Sequence, residues 1–189
     1  MTYRIAGIVG SLGSKSINRQ LLQGIVPLAS DAGMDVTEFP LAGVPLFNPD
    51  AEAAPPQAVT DLKAVIEASD GLIIVTPEYN RSIPGVLKNA LDWASRPYGR
   101  SSLKGKPTAI IGASGGAIAT ALAQRHLRDV LNFLDVRLLN QPEAYIRFHD
   151  GLIGPDGEIA DPGIATYLKT WLEAFGSLLD LSQEPHSVR

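Results

Sequence analysis

Four short apolar runs recur along the chain with room for one helix between each pair, and this spacing restricts the fold more than any other feature. RIAGIVG (4–10), LIIV (72–75) and TAIIGA (108–113) are nearly continuous in Ile, Val, Leu and Ala, as parallel strands covered on both faces require. MDVTEF (34–39) alternates instead, with Met34 and Val36 on one side, which suits an edge strand. DVRLL (135–139) is a shorter fifth candidate. Helical stripes lie between the strands: Ile17, Leu21, Leu22, Ile25 and Leu28; Val59, Leu62, Val65 and Ile66; Val86, Leu87, Ala90 and Leu91; Leu127, Val130, Leu131 and Leu134. A last stripe runs through Leu168, Trp171, Leu172, Phe175, Leu178 and Leu179. Alternation with right-handed crossovers predicts an α/β fold, a three-layer doubly wound five-stranded parallel sheet in the flavodoxin-like order 2-1-3-4-5. Such a sheet binds ligands beyond the carboxyl ends of its strands, where the loops after strands one, three and four stand side by side.

The 189 residues contain no long polar linker, so residues 1–181 are expected to form one domain, with SQEPHSVR (182–189) as a flexible tail. PLAGVPLFNPDAEAAPP (40–56) is a long second loop. The chain has no cysteine, which excludes disulfides, thiolate metal sites and dithiol chemistry, so electron transfer would need a bound cofactor. No His spacing suits a metal: His126 sits in a polar helical run, and His149 and His186 are uncommitted. A net charge of -4 argues against nonspecific nucleic-acid binding. MTYRIAGIVG reads as a strand, not a signal peptide, and no run reaches transmembrane length without Gly or charge. A cytoplasmic protein without membrane contact is the expectation. Locally the balance reverses: WASRPYGRSSLKGKP (93–107) carries Arg96, Arg100, Lys104 and Lys106 with no acid between them. That segment reads either as a landing strip for an anionic substrate or as a solvated loop.

Three loops carry chemistry-bearing residues. GSLGSKSIN (10–18) joins a buried strand to a helix, with Gly10 and Gly13 for a tight backbone and Ser11, Ser14, Ser16 and Asn18 as donors at a helix N-terminus. Helix capping explains one of these groups, and a phosphate site would explain all of them. It is neither a Walker loop, since no Gly directly precedes Lys15, nor a dinucleotide fingerprint, since its glycines are spaced three apart. With Lys15 as its one cation, it suits a monophosphate ester. The third loop, TPEYNRSIPGVLKNALDW (76–93), starts a helix near Pro84, with Ser82 as a candidate cap, and leaves Pro77, Glu78, Tyr79, Asn80 and Arg81 as a polar and aromatic shelf. GASGG (112–116) admits two readings: a nucleophile elbow with Ser114, Asp135 or Glu143, and His149 as triad, or a backbone that lets a flat ligand approach Ser114, Gly115 and Gly116. Only one plausible strand follows Ser114, which is short for a hydrolase sheet.

GSLGSKSIN, PEYN followed by PGVLKNALDW, VPLFNPDAE and KPTAIIGASGG together resemble the NAD(P)H-dependent FMN reductase family, which includes quinone and chromate reductases on a flavodoxin-like fold. The likeness runs from the first strand to about residue 135. It implies FMN as cofactor and NADH or NADPH as donor, with the FMN phosphate at Ser11, Ser16 and Asn18, and Lys15 beside them. It sets the isoalloxazine along Pro77, Glu78, Tyr79 and Asn80, with Ser114, Gly115 and Gly116 completing the rim. Arg81, Arg96 and Arg100 would stand on the substrate side. The chemistry is then carried by the flavin without a catalytic side chain or metal: hydride passes from nicotinamide to FMN and on to a quinone, chromate, a ferric chelate, an azo compound or free flavin, in alternation. A homodimer or homotetramer is also implied, with Trp93 and Tyr98 as a contact surface. One departure stands out. The family commonly has Arg where this chain has Gly13, which implies weaker FMN retention. The competing readings are a flavodoxin-type electron carrier, a noncatalytic nucleotide-binding module and the Ser114 esterase.

Overall fold

The computed structural model describes residues 2–183. Strand β1 (Tyr3–Val9) lies between β2 (Met34–Phe39) and β3 (Gly71–Val75), and β4 (Pro107–Ser114) flanks β3. All these pairings are parallel, with Ile5 opposite Gly71, and Leu72 opposite Thr108. The order is therefore 2-1-3-4-5, and the edge position of β2 matches its alternating burial, in which Met34 and Val36 point inward. The fifth strand differs from the expectation of one continuous element. It is split into β5 (Arg137–Leu138), which pairs with the start of β4, and β6 (Ala144–Arg147), which pairs with its end.

Helices cover both faces because the central strands are apolar on both. Ile73 and Val75 join β1 side chains, α1 (Ile17–Asp31) and α5 (Pro162–Gln183) in one core. Leu72 and Ile74, one residue out of phase, join α2 (Gln57–Ala68), α3 (Gly85–Ala94) and α4 (Ala121–Phe133) in the other. In α5, Leu168, Trp171, Leu172, Phe175 and Leu179 are buried, as the stripe predicts. This helix runs to Gln183, so Ser182 and Gln183 are helical, not part of a tail; residues 184–189, His186 among them, lie outside the described residues.

The second loop packs down the outside of α3. Phe47 meets the edge of Trp93 at 4.9 Å, and the Pro45 carbonyl accepts from Trp93 Nε1 and Asn89 Nδ2, both at 2.8 Å. Trp93 is thereby 1% exposed, which corrects its expected place on a contact surface: its indole fills a gap in the monomer.

At the carboxyl edge, Gly112 lets α4 and the third loop close on β4. A Cβ there would stand 2.2 Å from the Thr76 carbonyl oxygen and 2.3 Å from Thr120 Oγ1, where Thr76 and Thr120 are fully buried. Gly71 differs in degree: a Cβ there would meet a Leu179 methyl at 2.7 Å, Phe175 Cζ at 3.0 Å and the Pro107 carbonyl oxygen only at 3.1 Å, so the closest obstruction is a side-chain end. Gly112→Ala is expected to lower stability by about 3 kcal/mol in chemical denaturation. Gly71→Ala should lose clearly less, and equal losses would contradict the distinction between backbone and side-chain obstruction.

Candidate functional site

The loops after β1, β3 and β4 surround a cleft of about 260 Å3 lined by Ser11, Lys15, Ser16, Ile17, Asn18, Pro77, Glu78, Tyr79, Ala113 and Ser114. Eight of the residues singled out from sequence meet here: Ser11, Lys15, Ser16, Asn18, Pro77, Glu78, Tyr79 and Ser114. Ile17 and Ala113 are additions that carried no polar signal.

The first loop ends in the N-terminus of α1. Ser16 caps that helix, its Oγ accepting from Arg19 N–H at 3.2 Å, and its carbonyl takes Gln20 N–H at 3.1 Å. Ile17 and Asn18 are the first helical residues, so their N–H groups have no partner within the helix, and both residues line the cleft. No acidic residue stands in the first turn of α1, so its positive end is not neutralised by its own chain. Arg19, which drew no attention as sequence, shapes this loop: Nη1 and Nη2 donate to the carbonyls of Gly13 and Ser11, each at 3.0 Å, while Nε pairs with Glu38 at 2.9 Å. A guanidinium therefore stands beside Gly13, but it holds backbone carbonyls.

Asn18 has a different occupation from the phosphate donor expected. Its side chain is almost fully buried, and its amide donates to Ala113 O and accepts from Ala113 N–H, both at 2.9 Å. It binds the start of α1 to the end of β4, so the side chain influences a ligand through position, while the Asn18 backbone N–H stays at the cleft.

Glu78 is likewise committed. Its Oε2 accepts from the N–H groups of Leu122 and Ala123 at 3.0 and 3.1 Å. Thr120 provides no side-chain cap for α4, so Glu78 supplies the cap from the neighbouring loop. Its Oε1 meets Arg81 Nη1 at 3.5 Å. Asn80 and Arg81 take φ of 51° and 67° in a two-residue turn closed by mutual Tyr79 and Ser82 backbone bonds of 3.0 Å. This type I′ geometry suits Asn and strains Arg. Asn80 and Arg81 are not among the residues that line the cleft, whereas Tyr79 is, with about half of its surface exposed. Ser82 does not cap α3, whose N-cap is Pro84; its Oγ lies 3.0 Å from His126 Nδ1.

Gly115 and Gly116 also stand outside the lining, and Gly116 N–H donates to Ser114 Oγ at 3.1 Å. Among the described residues no hydrogen bond joins that hydroxyl to His149, Asp135 or Glu143. Asp135 pairs with Lys104 at 3.8 Å beyond the far end of α4, Glu143 pairs with Arg128 at 3.7 Å, and His149 Nδ1 contacts Asp150 O at 3.1 Å. Arg96 and Arg100 do not line the cleft either. Both follow α3, which carries the chain about 15 Å away from the cleft. Arg96 lies over the Phe47 ring at 5.5 Å and faces Glu52 at 3.9 Å. Among the described residues no helix is long and apolar enough to cross a membrane, and no group of three His, Cys, Asp or Glu could hold a metal.

The residues present fit a phosphate-bearing flat ligand: open N–H donors and a lysine at one end, and the Tyr79 ring and Pro77 at the other. The sequence profile of the NADPH-dependent FMN reductase family matches residues 3–150. A 2-hydroxy-1,4-benzoquinone reductase of a Burkholderia species is 48% identical over 178 residues, covering 94% of this chain and 96% of that one. An NAD(P)H-dependent FMN reductase of Pseudomonas aeruginosa is 43% identical over 175 residues, covering 90% and 92%. Among solved structures, the flavoenzyme NAD(P)H:(acceptor) oxidoreductase FerB of Paracoccus denitrificans superposes with a TM-score of 0.91 at 39% identity, covering 95% and 98%. A flavodoxin-like sheet, a cleft at its switch point and likeness over nearly the whole length of these proteins converge: the chain belongs to the NADPH-dependent FMN reductase family of oxidoreductases.

Proposed function

We propose that the protein is an FMN-dependent NAD(P)H:quinone reductase whose FMN phosphate sits on the N-terminus of α1. One observation carries the placement. The carboxylate of Glu78, which lines the cleft, already fills the N-terminus of α4, whereas the N-terminus of α1 carries no acid and leaves the Ile17 and Asn18 N–H groups open. Ser11 and Ser16 add hydroxyls and Lys15 a charge. Among the described residues no ion pair engages Lys15, which supports its service to a phosphate in place of the arginine absent at Gly13. Pro77 and the Tyr79 ring offer apolar surface to the isoalloxazine, and Ser114 with the Gly115 and Gly116 backbone would form its opposite rim. FMN, when bound, supplies the redox chemistry, taking a hydride from NAD(P)H and yielding it to a quinone or another flat acceptor in alternation.

Arg81 is proposed to meet the nicotinamide donor. Its backbone conformation favours glycine, yet its guanidinium is largely exposed and only weakly paired to Glu78, so the side chain has a use that offsets the strain. A homodimer or homotetramer in the cytoplasm is part of the same reading. Support comes from Leu12, Tyr79 and Ile118 on the loops after β1, β3 and β4 and Leu122 in the first turn of α4, apolar side chains left exposed. A light-scattering mass of one 20.1 kDa chain would contradict that assembly.

Two substitutions separate these roles. Ser11→Ala should weaken FMN binding by about 2 kcal/mol, roughly thirtyfold, the worth of a hydrogen bond to a charged group, while the melting temperature of the FMN-free protein stays unchanged. Arg81→Gly should raise stability by about 1 kcal/mol through relief of the left-handed conformation. It should also raise KM for NADH or NADPH severalfold, with FMN affinity intact. Unchanged FMN affinity in the first variant would remove the phosphate from the first loop; unchanged KM in the second would remove Arg81 from the donor side.

A further inference from the structure

The basic segment that follows α3 is not absorbed by the cleft, yet it is a built wall. Arg100 N–H donates to Pro97 O at 2.9 Å, and Ser102 N–H returns to Ala94 O at 3.0 Å. From beneath, Lys63 Nζ reaches Arg96 O at 2.6 Å, Ser102 Oγ at 2.8 Å and Ala94 O at 3.3 Å. Gly105 N–H then donates to Asp135 O at 2.7 Å, fastening the loop to the end of α4. Between this loop and α4 opens a groove of about 430 Å3, lined among others by Arg96, Tyr98, Lys104, Phe133, Leu134 and Asp135. That volume lies within the usual range of small-molecule sites. Because the 13 residues of α4 span about 20 Å, the groove stands at the opposite end of the sheet from the cleft.

Two features select a ligand class. Tyr98 is 89% exposed and Phe133 83%, so two aromatic rings at one groove are left in water, where a flat aromatic partner would cover them. The groove's own lining holds Arg96 and Lys104 against the single carboxylate of Asp135, one positive charge in excess, with Glu52 facing Arg96 from outside the lining. Neither pairing is tight: Arg96 Nε is 3.9 Å from Glu52 and lacks a hydrogen-bond partner, and Lys104 and Asp135 are 3.8 Å apart with both side chains exposed. We propose that this groove is a second binding site, for a planar aromatic monoanion whose ring lies against Tyr98 and Phe133 and whose negative group faces Arg96 and Lys104. It is independent of the flavin assignment.

The probe is 2-naphthoate, titrated by calorimetry into FMN-saturated protein at low salt, with neutral 2-naphthylmethanol alongside. The expected result is one site with a dissociation constant below about 1 mM. Tyr98→Ala and Phe133→Ala should each weaken it about fivefold and Lys104→Glu more, while Tyr79→Ala leaves it unchanged and the neutral alcohol binds more weakly. All these side chains are exposed, so the variants keep the fold. Absence of binding overturns the proposal, as does affinity that follows Tyr79 instead, which would put the probe at the cleft. Sedimentation velocity on the same variants supplies a further contradiction: if Tyr98→Ala or Phe133→Ala lowers the assembly mass with no loss of naphthoate affinity, the face is a contact between copies of the chain.

Discussion

The cleft is held together by one side chain that takes the place of a missing strand. In a parallel ladder alternate residues direct their backbone groups to the same neighbour. The Ile111 carbonyl accepts from Thr76 N–H, so Ala113, two residues further, points the same way, past the end of β3. Asn18 fills that position with an amide that both donates and accepts. Buried backbone groups left unpaired are costly, so the first turn of α1 completes the β3-side edge at the end of β4, whose other edge pairs with β6. Glu78 makes the second tie, from the third loop to α4. Together they join the three loops into a rigid rim, the condition for a flat cofactor to be held in one orientation.

The same ties bear on the proposed phosphate position. Glu78 spends its carboxylate on the N-terminus of α4, whereas the N-terminus of α1 lines the cleft with no acid in its first turn. A phosphate at α4 would meet a like charge; at α1 it meets open N–H groups and a lysine. Charge placement within the fold thus separates two loops that look equally suited, as sequence, to bind phosphate.

Much of this was legible beforehand. Strand order followed from continuous Ile and Val in β1, β3 and β4 against alternation in β2, and the eight lining residues followed from polar groups at strand-to-helix turns. What failed did so for physical reasons. DVRLL located β5, but β6, four residues that alternate between buried and exposed, is too short for a hydropathy pattern to register. Asn18 and Glu78 look like ligand donors because a ligand donor and a structural cap use the same groups, and only the positions of Ala113 and α4 decide between them. Arg19 stands in a helix as an ordinary surface residue until its guanidinium is seen to reach two carbonyls of the preceding loop. The basic segment drew attention by its run of Arg and Lys without an acid, and a run of charge does not say where α3 carries it.

The central claim is that this cleft binds FMN and exchanges electrons between NAD(P)H and a quinone. It is tested most directly by the absorption spectrum of the purified protein saturated with FMN, first under anaerobic NADH or NADPH and then with a benzoquinone. The account predicts protein-bound flavin bands that bleach with the nicotinamide nucleotide and return in full with the quinone. A protein that retains no FMN after gel filtration and leaves free FMN unreduced by NADH and NADPH would contradict it.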